Sequence, residues 1–299
     1  MAVQRATNPT RRLGMLIEPV IGQVYFAPEC HANYQKLGFG PSGGFAGQTE
    51  LPNGPAYFTS RGSVMGQVPG ELVAAAFAVF SPAAVVPSVD FGWSVTDAAT
   101  ICAARDDGAT AQLVRVLGPD PDGLDRVTEL FERMTAVLRP EGRPLFAGLR
   151  SLDVPDHPHG RLWRHGDMLR EFRGDSHTAA WVAMGLDATE ICLLTDLWWG
   201  LPMRSYSRTR AWTDAEFDDA EARLRRHGLL GDDGLTDKGR STRELIEEHT
   251  DAQMIPAMRA LGDDADELFA LLEPWGVALR ASGAYLAGGA DDLANKALS

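Results

Sequence analysis

Residues 209–251, TRAWTDAEFDDAEARLRRHGLLGDDGLTDKGRSTRELIEEHTD, constrain the fold more than any other stretch. Thr213 or Asp214 can cap a helix, and Phe217, Ala220 and Leu224 then fall at i, i+3 and i+7 on one buried face. Gly228 stops that helix. Leu229-Leu230 and Leu235-Thr236 flank the turn Gly231-Asp232-Asp233-Gly234, a very short hairpin before a second helix. Helix, tight hairpin and helix in that order outline a winged helix.

Charge runs against a nucleic-acid role for this unit. The stretch holds seven Arg and Lys against twelve Asp and Glu, a local net of −5. The end of the helix that would meet base edges carries Asp214, Glu216, Asp218, Asp219 and Glu221, and the hairpin tip carries Asp232 and Asp233. Most non-specific DNA affinity comes from cations on phosphates. DNA is therefore disfavoured as a partner, and the unit reads as a winged helix reused for packing.

The whole chain agrees with that reading. It has 299 residues, a net charge of −13 and 44% hydrophobic residues, enough for two compact units with an acidic surface. Cys30, Cys102 and Cys192 are odd in number and far apart, which suits buried thiols in a reducing compartment. The segment MAVQRATNPTRR has no apolar h-region, and the longest apolar run, 72–86, is too short to span a bilayer. A cytoplasmic protein with no membrane partner is expected.

Helical periodicity dominates elsewhere. Leu124, Val127, Phe131, Met134 and Leu138 mark the clearest amphipathic helix, and helices are also expected over 11–37 (with a break near Pro28), 95–117 and 263–286. Residues 38–68 are rich in Gly and Pro and read as a long loop, with Tyr57, Phe58 and Arg61 returning it to the body. The expected fold is mainly α: a helical body over 1–205, the winged-helix unit over 206–252, and closing helices over 253–299 packed on the body.

Two formal motifs lie in the glycine-rich stretch. Gly38, Gly40 and Gly43 spell G-x-G-x-x-G, and Gly40, Ser42 and Gly44 spell G-x-S-x-G. Both need a strand before and a helix after, and neither context is present. The better constellation lies at 156–190, where His157, His159, His165 and His177 fall close together. A helix from Pro158 lines up His159, Trp163, Gly166, Arg170 and Arg173, and Gly174 is expected to break it, with Asp175 capping the next helix.

A stripe of Trp, two Arg and a His suits a small organic anion: a flat surface, a bidentate fork and a proton carrier. Trp163, Arg170, Arg173, Arg61, Tyr57 and Phe58 are the ligand-binding candidates. His159, His177, Asp175 and Glu18 are the catalytic candidates, Glu18 also being a partner for Arg61, Arg170 or Arg173. Position 163, four after His159, is Trp, so no metal site is expected. No cofactor is assigned, since Walker, Rossmann and zinc signatures are absent; haem and flavin, which need no short motif, stay open.

Several segments carry a resemblance. Leu16-Ile17-Glu18-Pro19-Val20, Tyr25-Phe26-Ala27-Pro28-Glu29, REFRGDSH at 170–177 and GLDATE at 185–190 resemble an uncharacterised actinobacterial family of helical proteins. WTDAEF…RLRRHGLL…GLTDKGR resembles the MarR-type winged helix that ends them. The resemblance implies a winged helix and permits a ligand-responsive regulator acting as a homodimer. The leading expectation is a protein that binds, and transforms if it is an enzyme, a small organic molecule in the helical body by cofactor-independent acid/base chemistry.

Overall fold

The computed structural model describes residues 8–298, so the first part of the N-terminal segment read for a leader lies outside the described residues. The chain opens with α1 (Pro9–Ile21) and α2 (Pro28–Lys36), joined by a 3-10 turn at Gly22–Phe26. A small hairpin of β1 (Phe45–Ala46) and β2 (Thr49–Glu50) follows. Next come α3 (Gly54–Gly62), α4 (Gly70–Phe77), α5 (Pro82–Val95) and α6 (Ala98–Leu117). The centre of the chain holds α7 (Leu124–Ala136), α8 (Pro144–Ser151), α9 (Pro158–Ala183) and α10 (Ala188–Trp199).

A 3-10 turn at Tyr206–Arg210 leads to α11 (Asp214–Arg226), the hairpin of β3 (Leu230–Gly231) and β4 (Gly234–Leu235), and α12 (Asp237–Gln253). The chain closes with α13 (Ile255–Leu261), α14 (Ala265–Ala281) and α15 (Ala290–Leu298). The fold is mainly α, with two short antiparallel hairpins among the described residues.

The spine is α9, about 39 Å long at 1.5 Å per residue. It packs on α1, α6, α7, α8 and α12. His157 caps it by accepting from the His159 N–H at 3.2 Å, and Pro158 needs no donor at the first helical position. The helix runs straight through Gly174, so the expected break does not occur. Gly166 explains how α1 comes so close: a Cβ there would stand 2.2 Å from Ile21 Cδ1. Its missing side chain serves a close helix–helix contact.

The 38–68 stretch is not one long loop. Asn53 accepts from Ala56 N at 3.1 Å and Pro55 sits in the first turn, so Gly54-Pro55 starts α3. Tyr57, Phe58 and Arg61 consequently stand on a helix packed against α5 and α6. Pro19 likewise lies inside α1. It frees the carbonyl of Met15, a residue 58% exposed, so water can satisfy that group.

The winged-helix segment forms as its local signals require. Thr213 and Glu216 make a reciprocal capping box, and Gly228 adopts φ 68° just past the end of α11. Leu193, Leu194 and Trp198 of α10 pack with Phe217, Ala220, Leu224, Leu229, Leu230 and Leu235 in a hydrophobic cluster of their own. The unit thus draws α10 in as the helix preceding its turn. The rest of the apolar interior is one large cluster built by α1 to α9, α13 and α14, and a small one in which Ala180 and Trp181 of α9 meet Ile191 of α10 and Ile246 of α12.

Candidate functional site

A helix buried on nearly every side must pair its charges. Along α9, Arg164, Asp167, Glu171 and Asp175 recur at three- and four-residue steps and are all buried. Each finds a partner on another helix. Arg164 pairs with Asp106 of α6, and Asp167 with Arg105 at 2.9 Å, both side chains sealed from solvent. Asp175 Oδ2 accepts from the Leu145 and Phe146 N–H groups, each at 3.1 Å. It caps α8 from across the core, not the start of a helix of its own.

Glu171 is the hub of the remaining cluster. Arg61 reaches it through Nε at 2.8 Å and Nη2 at 2.7 Å, Arg170 Nη1 donates to it at 3.0 Å, and the Tyr25 hydroxyl donates at 3.3 Å. Burial pushes its carboxyl up, but Arg61, then Arg170 and Arg105, outweigh that and hold it at about 2. Arg170 also donates from Nε to Glu18 at 2.9 Å, and Tyr285 donates to the other oxygen of Glu18 at 3.1 Å. Arg61 Nη1 donates to the Tyr57 hydroxyl at 3.3 Å, and its guanidinium lies over the Phe77 ring.

The cluster extends from the body to the neck of the winged-helix unit. Tyr57 stacks edge-on to Tyr25 and touches Phe80, with ring centroids 5.0 and 5.7 Å apart. Arg210, in the 3-10 turn before α11, lies 4.5 Å over that same Phe80 ring and 4.7 Å over Tyr206. The cluster is half-buried: the side chains of Glu18, Arg170 and Arg61 keep 37%, 19% and 14% of their surface. Chemically, guanidinium forks and phenols in this arrangement suit an anion or a polar, planar group.

The remaining expected residues lie elsewhere. Trp163 is fully buried, donates to the Ile21 carbonyl at 3.1 Å and is covered by Arg105, so it is core. Arg173 turns toward α12, pairing with Asp251 at 3.1 Å and Glu247 at 3.3 Å. His177 meets Thr250 at 3.2 Å on the same side, and burial, with Arg243 and Arg173, pushes its pKa down to about 3. It is a neutral ring at pH 7. His159 meets the Gly118 carbonyl at 2.9 Å, and burial lowers its pKa as well.

Of the four residues assigned proton chemistry, only Glu18 therefore stands in the Arg61–Arg170 cluster. Phe58 lies beside it, buried against Phe77 and Phe80. Tyr25, Glu171, Tyr285 and Arg210 were not singled out from the sequence. The charged stripe of α9 could have shown Glu171, but nothing local marks the other three. Among the described residues no group of three His, Cys, Asp or Glu is placed to hold a metal ion. A surface depression lined by Asp106, Asp107, Arg115 and His157 lies apart from the cluster.

On the outer face of α11, Asp214, Asp218, Asp219, Arg225 and Arg226 are exposed. Several of these charges are held within the chain. Arg208 pairs with Asp214 at 3.0 Å, Arg204 with Asp218 at 2.6 Å, and Arg225 with Asp232 of the hairpin at 3.2 Å. Arg223 is drawn inward to Glu190 and Asp187, and buried Arg243 to Glu247 and the Trp198 ring. Among the described residues no helix is long and apolar enough to cross a membrane.

The chain belongs to a helix-turn-helix family, whose model matches residues 10–286. No curated protein and no solved structure matches it. The match runs through the helical body as well as the winged-helix unit, so body and unit form one family architecture.

Proposed function

We propose that this helix-turn-helix family member binds a small organic anion in its helical body, at the Arg61–Arg170–Glu18–Tyr57 cluster. One observation carries the reading. Half-buried guanidinium groups and phenols converge, with solvent reach, at the seam between body and winged-helix unit. Residual access is what entry of a ligand requires. If a reaction follows binding, its proton chemistry falls to Glu18, since His159, His177 and Asp175 are engaged elsewhere.

Native mass spectrometry and an absorbance spectrum of gently purified protein, with Arg170→Met alongside, test this. The expected result is a retained small molecule that the variant loses. An apo mass for both proteins, with no thermal shift across a panel of small organic acids, would overturn the reading.

A second reading is a ligand-responsive, MarR-like transcription regulator acting as a homodimer. Family membership and the order α10, turn, α11, hairpin support it; the acidic outer face of α11 opposes it. Even non-specific binders have a Kd of roughly 10⁻⁴–10⁻⁶ M at physiological salt and bind more tightly below it. A gel shift on the protein's own upstream DNA at low salt therefore decides: a shifted band at micromolar protein supports regulation, and none ends it.

A further inference from the structure

The outer face of α11 carries its charges in a definite order. Asp218 and Asp219 stand on the N-terminal half, Arg225 and Arg226 on the C-terminal half, and Ala222 lies midway; all five are exposed. Each acid precedes an arginine by seven residues, about two turns and about 10.5 Å along the axis. Asp218 and Arg225 therefore line one edge of the face, and Asp219 and Arg226 the other. Ala222 is four residues from both Asp218 and Arg226, where a partner within the helix would stand.

These charges are only partly used inside the chain. Asp219 and Arg226 make no side-chain hydrogen bond or ion pair among the described residues. Arg223, the cation four residues after Asp219, is turned to Glu190 and Asp187. Asp218 engages Arg204 through Oδ1 alone, and Arg225 reaches Gly231 and Asp232 through Nη1 alone. Their side chains keep 69% and 43% of their surface. The helix dipole favours acids in the first turn and cations in the last, but it fades within one turn. Asp218 and Asp219 lie in the second turn.

An antiparallel copy of the same face is its complement. A two-fold axis at Ala222 sets Asp218 of each copy opposite Arg225 of the other, and Asp219 opposite Arg226. The members of each pair share an edge and lie nearly the same distance from the axis on opposite sides, as an isologous contact requires. Only the methyl group of Ala222 stands at the axis, so the two backbones can approach. We infer that this face of α11 is a self-association surface whose partner is a second copy of this chain, held by those two ion pairs, each made twice.

The inference goes beyond the binding reading and does not rest on it. Exposed ion pairs are individually weak and are screened by salt. One helix against one helix is also smaller than a standard interface. The contact is therefore weak, salt-sensitive and formed at high protein concentration. It covers the helix that meets base edges in DNA-binding helix-turn-helix proteins, which gives the acids on that face a use.

Sedimentation velocity on the full chain, from micromolar to millimolar protein at low and at high salt, tests this. Wild type should dimerise at low salt and dissociate at high salt. Asp218→Arg/Asp219→Arg makes all four positions basic, and Arg225→Asp/Arg226→Asp makes all four acidic. Each alone should weaken the dimer by about tenfold or more. Mixed in equal amounts, the two should pair at least as tightly as wild type, because every contact is again between opposite charges. Ala222→Glu sets two carboxylates at the axis and should also weaken the dimer, with its melting temperature close to wild type.

A wild type that stays monomeric at low salt across the whole range overturns the inference. A dimer that survives both charge variants and Ala222→Glu also overturns it, by placing the contact on another surface. So does a mixture of the two folded charge variants that remains monomeric. If either charge variant fails to fold, Ala222→Glu decides alone: a dimer as tight as wild type overturns the surface.

Discussion

Arg61 and Glu171, 110 residues apart in the chain, meet through two hydrogen bonds of 2.7 and 2.8 Å. That pair fastens α3 to the spine and places Arg61 beside Tyr57. Removing one partner of such a buried pair leaves the other uncompensated, which costs about 3–5 kcal/mol. Glu171→Gln should therefore lose stability in that range by urea unfolding, and Arg61→Met slightly less, because Arg170 still engages Glu171. A double-mutant cycle should give a coupling well above 1 kcal/mol; additivity would show that the pair is not energetically real.

Asp175 has the opposite electrostatics. Burial pushes its carboxyl up to about 7, only partly opposed by the N–H groups of Phe146 and Leu145. Its folded pKa exceeds its unfolded one, so its contribution favours the fold at low pH and is lost as pH rises from about 4 through 7. Asp175→Asn keeps an oxygen acceptor for both N–H groups and carries no charge. Relative to wild type it should gain stability progressively between pH 4 and 7 and hold the gain above. Denaturation midpoints of the two proteins at pH 5 and 8 check this; a constant difference would contradict it.

For His177 the sign reverses again. Burial, reinforced by Arg243 and Arg173, lowers its pKa to about 3. The unfolded chain therefore takes up the proton first, and this residue costs stability as pH falls from about 6.5 toward 3. His177→Gln should flatten the pH dependence in that window and change little at pH 8 beyond the loss of the Thr250 contact. Paired unfolding curves at pH 5 and 8 measure the difference directly.

Gly166 offers a steric test. Gly166→Ala would set its Cβ 2.2 Å from Ile21 Cδ1 and 3.1 Å from Phe131. Overpacking of this kind costs about 1–3 kcal/mol. Ile21→Val removes the clashing Cδ1, so it should recover part of the loss in the Gly166→Ala background while destabilising the parent protein. Melting temperatures of the four proteins suffice, and failure of the rescue would place the strain elsewhere.

The sequence by itself determined the elements whose signals are short-range. Phe217, Ala220 and Leu224, the Thr213–Glu216 box, Gly228 and the 231–234 turn sit within a few residues of one another, so α11 and its hairpin were legible before any contact was known. The pairing of Glu18 with one of three named arginines was legible too, since a carboxylate among apolar neighbours must find a cation. The start of α3 was misread because Gly54-Pro55 serves a helix N-terminus as well as it serves a loop.

Tertiary structure decided the site. Its members come from α1, α3, α9, the Tyr285 turn and the neck at Arg210, and each charge could have paired with many others at similar local cost. Which arginine meets which carboxylate depends on how five helices close around α9. Linear spacing grouped Trp163, Arg170 and Arg173 on one stripe. Close packing then sent Trp163 into the core, Arg173 to α12 and Arg170 to Glu18, because neighbouring residues of a stripe on a largely buried helix face different partners.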